Sequence, residues 1–165
     1  MDKKIARKIR IRLNKYLLLG IMAVTFAACS NDSIYTEYRS LPDAGWSKDS
    51  VARFQVDIAQ TNIPYNVLVN IRHDSHYPYQ NFWMFISITN PDGATTKDTI
   101  ECYLADNRGK WLGSGLSSVY NMPVLVKPNI VFPKAGKYTF TVRHGMRDDV
   151  LSGMTDIGVE IDKNK

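Results

Sequence analysis

Phe82-Trp83-Met84-Phe85-Ile86-Ser87-Ile88-Thr89, then Asn90-Pro91-Asp92-Gly93, then residues 95–104 form the stretch on which the fold turns. Proline presets the first central dihedral of a type I turn, and glycine suits the residue after the second. The two flanking runs therefore read as a β-hairpin. In the first, Phe82, Met84, Ile86 and Ile88 fall on one face while Trp83 and Phe85 fall on the other. A strand that begins apolar on both faces needs cover on both, from its own chain or from a partner. In the return strand Ile100, Cys102 and Leu104 share a face opposite Glu101 and Tyr103, which places the thiol with the core.

The same period-2 alternation continues outward. Phe54, Val56 and Ile58 alternate with Arg53, Gln55 and Asp57; Tyr65, Val67, Val69 and Ile71 alternate with Asn66, Asn70 and Arg72. Further strands read at 110–112, at 124–126 with 130–132, at 137–144 and at 157–161. Ala135-Gly136-Lys137-Tyr138 resembles the entry to a late strand of immunoglobulin-like sandwiches, where a tyrosine ties back to the backbone. Only 148–154 reads as helical, with Asp148 and Asp149 in the first turn where the helix dipole favours acids. Many short strands with glycine and proline turns predict an all-β domain. The expected form is a two-sheet antiparallel β-sandwich, immunoglobulin-like or jelly-roll, with an N-terminal signal helix and one short helix near the C-terminus.

Charge is distributed unevenly. Of 21 Lys and Arg, seven lie in the first fifteen residues (Lys3, Lys4, Arg7, Lys8, Arg10, Arg12 and Lys15) beside the single acid Asp2, which leaves 14 cations against 15 acids afterwards. The net +5 thus divides into +6 for the opening and −1 for the rest. A basic patch for nucleic acid is missing from the remainder. At 44% hydrophobic and 11% aromatic residues the chain is too apolar to be disordered.

The basic opening runs into an uncharged stretch from Tyr16 to Ala28 that is too short for a membrane span, which needs about 20 apolar residues. This is the anatomy of a signal peptide. Phe26-Ala27-Ala28-Cys29 resembles the lipobox of bacterial lipoproteins, so Cys29 is expected to receive a diacylglycerol and acyl (palmitate) chains and become the first mature residue. Two or more chains anchor a protein stably. The expected organisation is a cleaved signal peptide at 1–28, a lipidated tether at 29–47 and a β-sandwich at 48–165. Tyr35, Tyr38 and Leu41 are the tether residues able to pack back on the domain. Cys102 is then the sole remaining thiol, so no intrachain disulfide can form.

No arrangement of residues here meets the requirements of catalysis. His73-Asp74-Ser75-His76 offers two imidazoles across a turn, short of the three or so protein ligands of a catalytic zinc, and His144 is remote. These histidines read as strand-end residues in a polar turn, with no metal. Cys102, in the core set, reads as an inert thiol. Gly109, Gly113 and Gly115 match neither a phosphate loop nor, at Leu112-Gly113-Ser114-Gly115-Leu116, a nucleophile elbow. Asp148 and Asp149 are neighbours that point apart on a helix, unlike a glycosidase pair. The expectation is no enzyme and no cofactor beyond the acyl anchor. Tyr77-Pro78-Tyr79-Gln80-Asn81-Phe82-Trp83 is the one candidate binding feature; with Trp111 it caps the core, anchors a protein partner or stacks a glycan.

Ile71-Arg72-His73 with the 77–83 run, Asp98-Thr99-Ile100-Glu101-Cys102-Tyr103-Leu104-Ala105-Asp106, Gly109-Lys110-Trp111-Leu112-Gly113-Ser114-Gly115 and His144-Gly145-Met146-Arg147 together resemble the GldH lipoproteins of Bacteroidetes. The resemblance spans the lipobox and nearly all of the mature chain. It implies an envelope lipoprotein needed for gliding in gliding members, with no assigned enzymatic activity and no catalytic residues to carry over. Non-gliding relatives in the phylum carry such proteins too. Surface lipoproteins of that phylum often place a run of acids after the lipidated cysteine, and here Ser30-Asn31-Asp32-Ser33 has one. An outer-membrane anchor facing the periplasm is therefore expected ahead of the cell surface. The expected role is a non-enzymatic component docking other motility or envelope proteins, with a glycan-binding lipoprotein using Tyr77, Tyr79, Trp83 or Trp111 as the competing reading.

Overall fold

The computed structural model describes residues 33–116 and 118–164. The signal helix and Cys29 lie outside the described residues. The hairpin forms where the turn demands it: β5 (Asn81–Thr89) pairs with β6 (Thr95–Tyr103), Thr89 opposite Thr95. Gly93 adopts φ +88° and its N–H donates to Asn90 O at 3.0 Å, while Asn90 Oδ1 accepts from the N–H groups of Asp92 and Ala94 at 3.1 and 2.9 Å. An asparagine that folds its amide over its own turn satisfies donors the ladder leaves behind.

β5 lies inside a four-stranded antiparallel sheet in the order β3 (Ala52–Ile58), β9 (Gly136–His144), β5, β6. A second antiparallel sheet has the order β1 (Ser33–Ser40), β11 (Met154–Lys163), β4 (Tyr65–Asp74), β8 (Val119–Ile130), β7 (Ser114–Leu116). A two-stranded ladder joins β2 (Trp46–Ser47) to β10 (Val150–Leu151). The inward residues predicted by alternation are buried: Phe54, Val56 and Ile58 on β3, Val67, Val69 and Ile71 on β4, Met84, Ile86 and Ile88 on β5. They belong to one hydrophobic core shared by both sheets. Rings tie the sheets together, with Phe132 lying 5.4 Å from Tyr65 of β4 and 4.8 Å from Tyr138 of β9. At the side, Lys127 of β8 pairs with Asp98 of β6 at 2.7 Å. Each large apolar side chain buried in this way contributes about 1.5–3 kcal/mol.

Tyr138 ties back as expected, its hydroxyl donating to Lys134 O at 2.9 Å and accepting from Lys134 N–H at 3.3 Å.

Three expectations need correction. Residues 148–154 are not helical: Leu151 pairs with Trp46, and Gly153 at φ +74° turns the chain directly into β11. The acids read as a helix start have other partners, Asp148 accepting from the Tyr79 hydroxyl at 2.8 Å and Asp149 pairing with Lys48. The stretch read as a tether contains β1, which pairs with β11 from Ser33 to Ser40, and Trp46, which is wholly buried. A polar sequence forms a strand there because β11 supplies the whole ladder and Tyr35 and Leu41 pack on the core. Lastly, 124–126 and 130 belong to the single strand β8, which runs through Pro123 and Pro128, while 110–112 forms only an isolated bridge from Trp111 to Ala105.

Candidate functional site

The aromatic segment before and within β5 does not act as one surface. Tyr77 is buried and its hydroxyl donates to Asn81 O at 2.7 Å. Trp111, half-buried, packs inward against His73 at 4.5 Å and Tyr120 at 5.9 Å. Both rings therefore serve the core at that end of the domain. Tyr79 is half-buried and bound to Asp148, a hydrogen bond that, with burial adding to it, raises the phenol pKa. Trp83 faces outward and is 38% exposed.

What gathers around Trp83 is the outer face of the four-stranded sheet. Strand parity puts Trp83, Phe85 and Ser87 of β5 on that face, and register places Arg143 of β9 and Thr99 of β6 on either side of Phe85. Phe85 is 38% exposed and Tyr103 of β6 60% exposed, so the aromatic side of the doubly apolar strand is only partly covered by its own chain. The Arg143 guanidinium lies over the Phe85 ring at 5.0 Å. Gly145 makes the close packing possible: a Cβ there would sit 3.0 Å from Phe85 Cε2 and 3.4 Å from Trp83 Cβ. Its N–H donates to Trp83 O at 2.7 Å, and the Trp83 N–H is 3.3 Å from Met146 Sδ. Tyr79, Asn81, Trp83, Met146 and Arg147 frame a groove of about 420 Å³ beside it. A second groove of about 460 Å³ continues across the face, between Arg53, Ser87, Lys97 and Arg143. Arg143, Met146 and the cations of this face were not legible as site residues, because only register brings separate strands together beside Phe85.

The groups that could do chemistry are placed against it. Cys102 is buried, its Sγ 3.6 Å from Phe82 O, and burial foremost, then Glu101, pushes the thiol up to about 12. The thiol is the unreactive form at neutral pH. His73 points into the core, not into a polar turn, while His76 is exposed beside Asp74 at 3.3 Å, so the two imidazoles do not converge. Burial lowers the pKa of His73, as it does for the buried His144. Among the described residues no three His, Cys, Asp or Glu side chains come together as a metal site. The loop at Gly109 copies the hairpin turn, Asp106 Oδ1 accepting from the N–H groups of Arg108 and Lys110 at 2.8 and 2.9 Å. The Asx-x-x-Gly spacing shared by 90–93 and 106–109 is the signal that identifies it as a structural turn.

Residues 33–161 match the family model described as GldH lipoprotein. A gliding motility lipoprotein GldH homolog of Christiangramia forsetii is 32% identical over 148 residues, which is 86% of this chain and 90% of the relative. The gliding motility lipoprotein GldH of Flavobacterium johnsoniae is 30% identical over 161 residues, 93% of this chain and 98% of the relative. Among solved structures, the infectious bursal disease virus VP2 subviral particle covers 78% of the chain at 12% identity with a TM-score of 0.35, and the chain spans 30% of that protein. Likeness at that level carries no argument.

Proposed function

The chain belongs to the GldH lipoprotein family, and on that footing we propose a lipid-anchored, non-enzymatic envelope component that docks other motility or envelope proteins through the outer face of its four-stranded sheet. The carrying observation is the partly exposed aromatic strip of Trp83, Phe85 and Tyr103, braced by Arg143 and Gly145. Aromatic and arginine side chains are what interface centres are made of. Two packed sheets around one core support the reading of the domain as a β-sandwich, a rigid carrier for such a face. The anchor is the acylated Cys29, in the outer membrane with the domain toward the periplasm. The glycan alternative has less support, since Tyr77 and Trp111 are turned inward.

Photo-crosslinkers placed at Trp83 and Tyr103 in living cells test the docking face, with Leu125 on the other sheet as reference. Discrete protein adducts from 83 and 103 but not 125 are expected; equal labelling from all three would refute it. A glycan-array signal lost in Trp83→Ala would replace docking with sugar binding. Cys29→Ala should leave the protein unprocessed or soluble, and protease added to intact cells should spare the domain.

A further inference from the structure

We propose that the groove between Arg53, Lys97 and Arg143 receives an extended acidic segment of the docking partner, an assignment that rests on the docking reading above. Arg53, Thr141, Ser87 and Lys97 are successive cross-strand partners over all four strands of the sheet. Arg143, Phe85 and Thr99 form the adjacent row. All of these side chains share the outer face, so two arginines and a lysine rim a groove of about 460 Å³ floored by hydroxyls.

The cations of this groove sit together on one face without acids of their own. Arg39, Lys48, Lys127 and Lys134 each pair with a carboxylate, whereas among the described residues Arg53, Lys97 and Arg143 make no ion pair. Asp98, at the groove margin, is taken by Lys127 at 2.7 Å. The chain after Tyr16 carries a net −1, so three uncompensated cations together are a local feature and not the overflow of a basic protein. Like charges gathered on one face repel, and a carboxylate-bearing partner relieves that cost.

Spacing selects the shape of the ligand. Strands stand about 4.8 Å apart, so Arg53 and Lys97 are about 14 Å apart at Cα, too far to grip one phosphate. An extended peptide advances about 3.4 Å per residue, which brings carboxylates at positions i and i+4 to the same separation. The side chain at i+2 then meets the middle of the groove, where Phe85 of β5 is apolar. A sugar ring would need an open aromatic face, and Arg143 covers that of Phe85 at 5.0 Å.

The test uses the full lipoprotein in detergent and a fluorescent peptide, Gly-Glu-Ser-Leu-Ser-Glu-Gly, followed by anisotropy. Binding that weakens with salt, is lost when both glutamates become glutamine, and falls about tenfold in each of Arg53→Gln and Arg143→Gln but not in Lys163→Gln is expected. Equal binding of the glutamine peptide, or indifference to the two arginine variants, overturns the proposal. Tighter binding of polygalacturonate or of phosphatidylglycerol vesicles overturns it too, by assigning the groove to another class of ligand. Failure of the peptide with protein adducts from Trp83 retained removes the acidic segment alone; loss of those adducts removes the docking reading and this proposal together.

Discussion

Mild acid will destabilise this protein through two imidazoles held neutral in its core. His73 is fully buried, its Nδ1 3.0 Å from Asp74 O and its ring between Trp111 at 4.5 Å, Tyr120 at 5.4 Å and Tyr77 at 5.6 Å. His144 is 2% exposed with its ring 5.5 Å from that of Trp46. Burial lowers both pKa values against weaker opposing pulls, from Asp74 on His73 and from the Trp46 main chain and Asp148 on His144. Unfolded imidazoles take up a proton near pH 6.5, folded ones only at lower pH. The unfolded state thus binds more protons below about pH 6.5, and stability present above that pH is lost as pH falls toward the folded values. Where the unfolded imidazoles are protonated and the folded ones still neutral, the slope approaches a limit of about 1.4 kcal/mol per pH unit for each histidine, or about 2.7 for the pair. Urea unfolding followed by tryptophan fluorescence at pH 7.5, 6.5 and 5.5 reads it directly, with His73→Leu and His144→Leu each expected to remove about half the slope. An unchanged slope in the double variant would refute the reasoning, as would a wild type that gains stability between pH 6.5 and 5.5.

Three other outcomes follow from single contacts. Tyr138→Phe removes a hydroxyl bonded to both the N–H and the C=O of Lys134, and should lower stability by about 1–2 kcal/mol in urea titration. Gly153→Ala should cost about 3 kcal/mol or more, since at φ +74° the added Cβ falls onto the Tyr77 main chain, whereas Gly93→Ala at φ +88° meets open space and should cost only about 1 kcal/mol; equal losses would contradict the packing argument. Cys102 should resist iodoacetamide at pH 8 in the folded protein and react in urea, and rapid native labelling would show that it is not held among the core side chains.

The hairpin from Asn81 to Tyr103 was readable because its information is local: Asn90, Pro91 and Gly93 fix the turn, and alternation in the flanking runs fixes which face is buried. The Tyr138 tie was readable for the same reason, four residues separating its partners. β1 and β2 were hidden since neither segment has enough apolar residues to declare a strand; each is held by a ladder partner more than 100 residues away. The acids at 148 and 149 misled for a similar reason. Their partners, Tyr79 and Lys48, lie in distant loops, so the pattern suggested a helix dipole where the fold has long-range contacts.

The candidate face shows the same division. That Trp83 and Phe85 point away from the core follows from parity along one strand, and the lipobox-like run ending at Cys29, the split of charge and the all-β pattern are likewise properties of contiguous residues. No contiguous pattern reveals that Arg53, Arg143 and Lys97 meet there, because the pairing of β3, β9, β5 and β6 is out of sequence order. Period alone decides which side of a strand a residue occupies. Only tertiary register decides its neighbours, and for this protein the neighbours make the candidate face.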